Sequence, residues 1–407
     1  MKKLGPVLGV LLSTAVFLVL LIAFDPFSKI SDLLDFLFGA PPKWTQVQDM
    51  YRNPETQEIS HGDDPVPALQ SLAQYWSRHP EAKRVLFIGN SQMYSITLAP
   101  GEDPPTGPEK TYVDLVADEV MRAPKRLLVY RFSAGGMSYP EALWFIQYVC
   151  LNPSLRPNYV FLQTNYQFFW TGGIRSGMLS MLEEPQFREQ IETRITSGEF
   201  YAGGFKEALK AYQDMKARQV SAPSGSHGGS GSAAASPANF GYRLETSARL
   251  LLDSVPGFAR RAAIRDSFTK LLYHARLYFL RITPSTARSI TGARLLSSRA
   301  SIEAIARLCN GQHVKLVLFN APVNPNVSLY RTSADRNSYH QFLTGITEQF
   351  NIPLYDFEDT VPSEYWGSLL NGPDPLHMGR KGHQILAGRI LDTLRTVTAT
   401  SVTAKGS

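Results

Sequence analysis

Hydrophobic and polar positions along the chain switch between two patterns. Short runs that are apolar throughout, closed by small or polar residues, alternate with longer segments whose apolar residues recur every three or four positions. The first pattern predicts strands over 84–88, 126–132, 159–163, 314–319 and 353–357. The second predicts helices over about 66–78, 112–121, 140–150, 334–350 and 379–397, the last with Leu386, Ile390 and Leu394 on one face. Strands without polar alternation, separated by helices, predict an α/β fold of about five parallel strands covered on both faces.

Two regions break this rhythm. Between the third and fourth strands lies an insertion, 168–298, with helical patterns over 183–195, 205–218 and 247–280. Within it, 221–239 is mostly Ser, Gly, Ala and Pro and holds no Asp, Glu, Lys or Arg, so a flexible loop is expected. A mobile lid or partner-binding element and a neutral insertion both fit this pattern. At the other break, Lys2 and Lys3 precede an uncharged run over 5–24, long enough to cross a bilayer as a helix. The lysines predict a cytoplasmic N-terminus and an exported remainder. A cleaved signal peptide is the competing reading, but no A-x-A pattern precedes Asp25-Pro26. Ile30, Leu33, Leu34 and Leu37 then predict an amphipathic helix over 27–38, suited to a membrane surface or to packing on the domain. The expected division is an anchor (1–25), a juxtamembrane segment (26–65), a domain in two parts (66–167 and 299–397) around the insertion (168–298), and a frayed tail (398–407).

Composition adds little that contradicts this picture. With 407 residues, 43% hydrophobic and 19% charged, the chain has the make-up of a folded protein with ample length for a core. The net charge of +6 comes without a dense Lys/Arg run, which argues against a nucleic-acid partner and leaves an anionic membrane surface or an acidic glycan open. Cys150 and Cys309 are the only cysteines; a disulfide and two buried thiols are both compatible with their apolar helical surroundings. No Cys/His spacing resembles a zinc site, and His61-Gly62-Asp63-Asp64 reads as a solvated loop. No metal and no cofactor is expected.

Candidate chemistry lies at the strand ends. The first strand runs into Gly89-Asn90-Ser91 with a helix expected beyond, so Ser91 or Asn90 suits a cap as well as a site. The second strand ends in Ser133-Ala134-Gly135-Gly136, and the third in Thr164-Asn165. In a parallel sheet all three ends share one edge, where open α/β folds build their sites. Ser91 is the candidate nucleophile, and its own N–H, the N–H of Gly136 and the Asn165 amide are candidate donors to an oxyanion, Gly135 being the alternative to Gly136. A serine needs a base. Asp374-Pro375-Leu376-His377, in a turn before the last helix, supplies an imidazole with a carboxylate three residues away. Asp374 would fix the tautomer of His377. His383 is the rival base, but it lacks an adjacent acid.

Ser91, Gly136, Asn165 and His377, in that order, resemble the four blocks of the SGNH (GDSL-like) hydrolase superfamily. Gly89-Asn90-Ser91 stands where that family has Gly-Asp-Ser, and Asp374-Pro375-Leu376-His377 matches its Asp-x-x-His. In the third block, usually Gly-x-Asn-Asp, Gln163-Thr164-Asn165-Tyr166 lacks both the glycine and the final acid. The resemblance implies a three-layer flavodoxin-like domain and acyl transfer through a serine ester. A single anchor before an exported domain is further similar to bacterial envelope proteins of the teichoic-acid D-alanylation and alginate-acetylation type. That similarity implies an acylated glycan substrate and a multipass membrane O-acyltransferase as partner. The alternative is a non-catalytic glycan-binding or assembly protein on the same fold. A carboxylate-pair glycosidase ranks behind both, since Glu183 with Glu184 and Asp356 with Glu358 read as solvated or helix-start charges.

Overall fold

The computed structural model describes residues 45–46, 51–52, 59–60, 65–103, 109–122, 127–169, 173–199, 201–221, 292–369 and 372–403. The expected anchor, the helix over 27–38, the His61-Gly62-Asp63-Asp64 stretch, the flexible loop from 222 onward and the helix over 247–280 lie outside these residues. Among the described residues no helix is long and apolar enough to cross a membrane. The chain divides into two compact units, and the one characterised below comprises Pro42–Met215 and Pro284–Ser407.

Its elements follow the expected alternation. Helix α1 (Val66–Ser77) leads to β1 (Lys83–Gly89), α2 (Tyr112–Arg122), β2 (Leu127–Ser133), α3 (Tyr139–Leu151) and β3 (Tyr159–Thr164). After α4 (Pro185–Thr196) and α5 (Ala202–Ser221) come α6 (Gly292–Gly311), β4 (Lys315–Asn320), α7 (Ser333–Phe350) and β5 (Leu354–Asp356). A hairpin of β6 (Trp366–Leu369) and β7 (Gly372–Met378) precedes the last helix, α8 (Arg380–Thr403).

The five strands β1 to β5 form one parallel sheet in the order β2-β1-β3-β4-β5. Gly89 lies opposite Ser133, Ile88 opposite Leu162, and Asn320 opposite both Thr164 and Asp356, so the strands end along one edge. Side chains leave successive residues on opposite faces. Val85, Phe87, Phe161, Val317 and Phe319 pack with Tyr112 and Val116 of α2 and Leu386, Ile390 and Leu394 of α8. Leu86, Ile88, Val160, Leu162, Leu316 and Leu318 pack on the other face with Trp76 of α1, Leu143 and Ile146 of α3 and Ile305 of α6. Each such side chain contributes about 1.5–3 kcal/mol on burial, so the sheet edge that carries the site rests on the firmest part of the domain.

The insertion begins as part of that core. Trp144 of α3 is flanked edge-on by Phe187 of α4 and Phe205 of α5, each at a centroid distance of 5.1 Å. In the structure these segments of the insertion are packed on the core. Helix α8 also runs further than the expected boundary at 397, to Thr403. The hydroxyls of Thr393, Thr396 and Thr398 each donate to a carbonyl four residues back within the helix. Cys150 and Cys309 are free, buried thiols. Burial pushes Cys150 up to about 12 and Cys309 up as well, which suppresses the reactive thiolate in both.

Candidate active site

Strand β1 ends at Gly89, where any side chain would collide with Gln163, whose Oε1 lies 2.0 Å from the position of a Cβ. Beyond it the chain forms a single 3-10 turn, Ser91–Met93, in place of the longer helix expected there. Asn90 caps the turn, its Oδ1 accepting from Gln92 N–H at 3.1 Å, so Ser91 is released from that duty. The turn does not lengthen because its last carbonyl is already engaged. Arg131, buried on β2, reaches Met93 O at 3.0 Å and pairs with Asp114 Oδ1 at 3.0 Å. Burial pushes the Asp114 carboxyl up, but the Arg131 charge and hydrogen bonds from Thr111 and Arg131 outweigh it and leave it below its ordinary value.

Asp374 and His377 sit on β7 of the hairpin, not in a simple turn. Trp366 pairs with Met378 and Ser368 with Pro373, so residues 374–377 bulge opposite Gly367 alone. The bulge folds the carboxylate back onto its own strand: Asp374 Oδ1 accepts from the N–H groups of Leu376 and His377, both at 2.9 Å. Asp374 Oδ2 accepts from His377 Nδ1 at 2.9 Å, and His377 Nε2 lies 2.7 Å from Ser91 Oγ. With Nδ1 carrying the proton, Nε2 presents its lone pair to the serine hydroxyl. Burial alone pushes Asp374 up, but the charge of His377 and hydrogen bonds from its ring and from the two N–H groups hold the carboxyl below the usual range. Asp374 therefore stays ionised beside the imidazole.

Gln92, Gln163 and Asn324 hold these two halves together, and the motif reading passed over all three. Gln92 Nε2 donates to Pro322 O and to Leu376 O, both at 2.7 Å. Its Oε1 accepts from Gln163 Nε2 at 2.5 Å, while Gln163 Oε1 accepts from Asn90 N–H at 2.8 Å. Asn324 adds a bond from Nδ2 to Asp374 O at 2.8 Å and one from its N–H to Pro375 O at 3.0 Å. Three successive carbonyls of the bulge are thereby fixed from outside the hairpin. Gln163 also explains the missing glycine of the third block: the longer side chain binds the nucleophile turn itself. The signal available in the sequence was a run of amides next to the motif residues.

The donor side is organised differently. At the end of β2, Met137 N–H donates to Ala134 O across Gly135 and Gly136, and Gly136 takes φ 63°, a left-handed geometry that favours glycine. Ala134 N–H donates to Gly89 O at 3.2 Å, which ties this turn to the end of the nucleophile strand. Gly135 N–H donates to the Tyr94 hydroxyl. Asn165, at the end of the adjacent strand β3, is 1% exposed. Its Oδ1 accepts from Gln167 N–H at 2.8 Å, whereas its Nδ2 has no hydrogen-bond partner among the described residues.

The remaining candidates are accounted for. His383 is buried in α8, where Nδ1 accepts from Tyr112 N–H at 3.1 Å and Nε2 donates to Ser95 O at 3.2 Å. Burial pushes its pKa down to about 3, so it is a neutral structural group and not the base. Glu183 and Glu184 are exposed. Glu358 differs from expectation: it is 5% exposed, and it accepts from Asn320 Nδ2 at 3.1 Å, Tyr330 Oη at 3.2 Å and Arg336 Nε at 2.9 Å. It is thus surrounded by a ring of donors at the β4 and β5 ends and not by solvent.

A serine, a histidine and an aspartate joined in one hydrogen-bonded chain at the carboxyl edge of a five-stranded parallel sheet define this unit. No protein-family model matches the chain, and no curated protein matches it. Among solved structures it is similar to an acetylxylan esterase from Geobacillus stearothermophilus at 11% identity, over 76% of this chain and 93% of that one, with a TM-score of 0.35. A psychrotrophic esterase from Pseudoalteromonas sp. is similar at 11% identity over 78% and 99% of the two chains, TM-score 0.36. An alpha/beta hydrolase from the metagenome of Lake Arreo, Spain, is similar at 11% over 76% and 94%, TM-score 0.35.

Proposed function

We propose that the chain is a serine esterase or O-acyltransferase that works through an acyl-serine intermediate. The observation that carries this reading is the continuous relay from Asp374 through His377 to Ser91, with contacts of 2.9 and 2.7 Å. A binding protein that had lost its chemistry has no need of a serine within direct reach of an oriented imidazole. In the forward step Ser91 Oγ attacks the ester carbonyl and its proton moves to His377 Nε2. The ester C–O bond then breaks, and the departing alkoxide takes that proton. His377 next removes a proton from water or from an acceptor hydroxyl, whose oxygen attacks the acyl carbon and frees Ser91. The Asn165 amide, with the backbone N–H groups of Ser91 and Gly136, bears the negative charge on the carbonyl oxygen.

The setting belongs to the same proposal. Lys2, Lys3 and the uncharged run over 5–24 support a single-pass anchor with the catalytic unit outside the cytoplasm. The resemblance to envelope acyl-transfer proteins supports an acylated polysaccharide as substrate and a multipass O-acyltransferase as acyl supplier. The test is to incubate the protein with 4-nitrophenyl acetate, quench it, and weigh it. Wild type gains one acetyl group on Ser91 and releases nitrophenol, and Ser91→Ala does neither. Equal release by both proteins removes the catalytic assignment.

A further inference from the structure

Thr97 lies in the chain beyond the nucleophile turn, and its N–H donates to Met378 O at 3.2 Å, which sets it against the end of β7. A β-branched side chain presents two groups at once, here a methyl and a hydroxyl. The neighbours decide which goes where. Gly367 of β6 lies opposite the bulge that carries Asp374, and a Cβ there would lie 2.0 Å from the Thr97 methyl carbon. The methyl fills the room that this glycine leaves. The hydroxyl is thereby turned to the relay and donates to Asp374 Oδ2 at 3.3 Å. Thr97 and Asp374 are both buried, so the bond is made out of reach of bulk water.

This contact completes the carboxylate. Oδ1 accepts from the N–H groups of Leu376 and His377, and Oδ2 accepts from His377 Nδ1 and Thr97 Oγ1. An ionised carboxylate offers about four lone-pair sites, so all of them are used. Two donors share Oδ2. The imidazole bond, at 2.9 Å, is the shorter, and it strengthens when the ring takes a proton and becomes a cation. The hydroxyl draws on the same oxygen, so it withholds part of the charge with which Asp374 stabilises that cation. Titratable groups on the surrounding elements are committed elsewhere. His383 is neutral and bonded to Tyr112 N–H and Ser95 O. Glu102 accepts from Ala99 N–H and from Arg380 N–H at the start of α8, Glu109 pairs with Arg380, and Asp114 pairs with Arg131.

We propose that Thr97 is a positioning residue of the relay: by sharing Asp374 Oδ2 with the imidazole it fixes the carboxylate and limits the basicity of His377. The inference rests on the acyl-transfer reading and adds to it a control on the pH at which the base becomes available. Without the hydroxyl, Oδ2 is left to the imidazole alone, the protonated ring is favoured, and its proton leaves at higher pH. The test compares Thr97→Val, which keeps the branched shape beside Gly367 but has no hydroxyl, with Thr97→Ser, which keeps the hydroxyl and drops the methyl. Full-length proteins carrying isotope-labelled histidine are titrated by NMR, with His377→Gln identifying the His377 signals. The His377 midpoint rises by about half a pH unit in Thr97→Val and stays at the wild-type value in Thr97→Ser. The acid limb of kcat/KM with 4-nitrophenyl acetate moves with it, while KM holds, since the buried Thr97 side chain has no surface to offer substrate. The proposal is overturned if Thr97→Val titrates at or below the wild-type midpoint. It is equally overturned if Thr97→Ser shifts as far as Thr97→Val, which would trace the effect to packing. The titration needs no turnover, whereas failure of the acyl-transfer reading shows as the absence of Ser91-dependent ester cleavage in the wild type. The two failures therefore give separate results.

Discussion

The two sides of the site are built on opposite terms. On the proton-relay side, each carbonyl from Asp374 to Leu376 is held, both oxygens of Asp374 are engaged, and the Gln92 amide uses its oxygen once and its nitrogen twice. On the proposed oxyanion side, Asn165 keeps a buried amide nitrogen without a partner among the described residues. Leaving such a donor unmade costs about 1–3 kcal/mol. The difference teaches how the chain divides its labour. On the proposed acyl-transfer reading, the relay is complete before substrate arrives, whereas the donor side is completed by the charge that develops during reaction.

Substitutions that separate activity from stability test this division. The largest effect is expected from Ser91→Ala, a loss of about 10⁴-fold or more in kcat with 4-nitrophenyl acetate and an unchanged urea midpoint. Asn165→Ala should lower kcat by about 10²–10³-fold with a stability change within about 1 kcal/mol, because the unsatisfied nitrogen and the oxygen that accepts from Gln167 N–H are lost together. A loss of several kcal/mol there would show that the Asn165 nitrogen has a structural partner after all. Gln92→Leu should do the reverse. It strands Pro322 O, Leu376 O and the Gln163 amide, so about 2–4 kcal/mol of stability goes, with a smaller fall in kcat of about tenfold. If the urea midpoint stays in place, the network is not what joins the two halves.

The smallest effect concerns His383 and is read through pH. Its folded pKa of about 3 lies below the ordinary 6.5, so only the unfolded chain takes up this proton as the solution is acidified. Its contribution is present above the ordinary value and is lost as pH falls toward the folded one. Between pH 7 and pH 5 it amounts to about 2 kcal/mol. His383→Gln, which keeps one donor and one acceptor but cannot titrate, should show a shallower loss over that range in urea titrations at the two pH values. Identical slopes would mean that His383 takes up its proton over the same pH range in the folded and the unfolded chain.

Periodicity alone was enough for the sheet, because strands buried on both faces leave an unbroken apolar signature, as in Val85-Leu86-Phe87-Ile88. Ser91, Asp374 and His377 were legible for a different reason: their types and order are those of a relay, and the parallel sheet brings the strand ends together. What escaped was whatever depends on partners remote in sequence. Nothing local distinguishes the amide of Gln92 from one facing solvent, since its acceptors lie 230 and 284 residues away. The burial of Glu358 depends on Tyr330, Arg336 and Asn320 in the same way. The short turn after Ser91 escaped because Arg131, on another strand, occupies the carbonyl that a longer helix would have used. His383 and His377 looked alike until burial and bonding separated them.

The separation of 286 residues between Ser91 and His377 also sets an order of events in the life of the molecule. A ribosome makes the serine well before the imidazole. Until the hairpin over 366–378 has been made and has docked, the nucleophile has neither its base nor the carbonyls that Gln92 must bind. On the acyl-transfer reading proposed above, a chain in which that hairpin has not docked lacks its relay and is inert toward esters, without any inhibitor to keep it so.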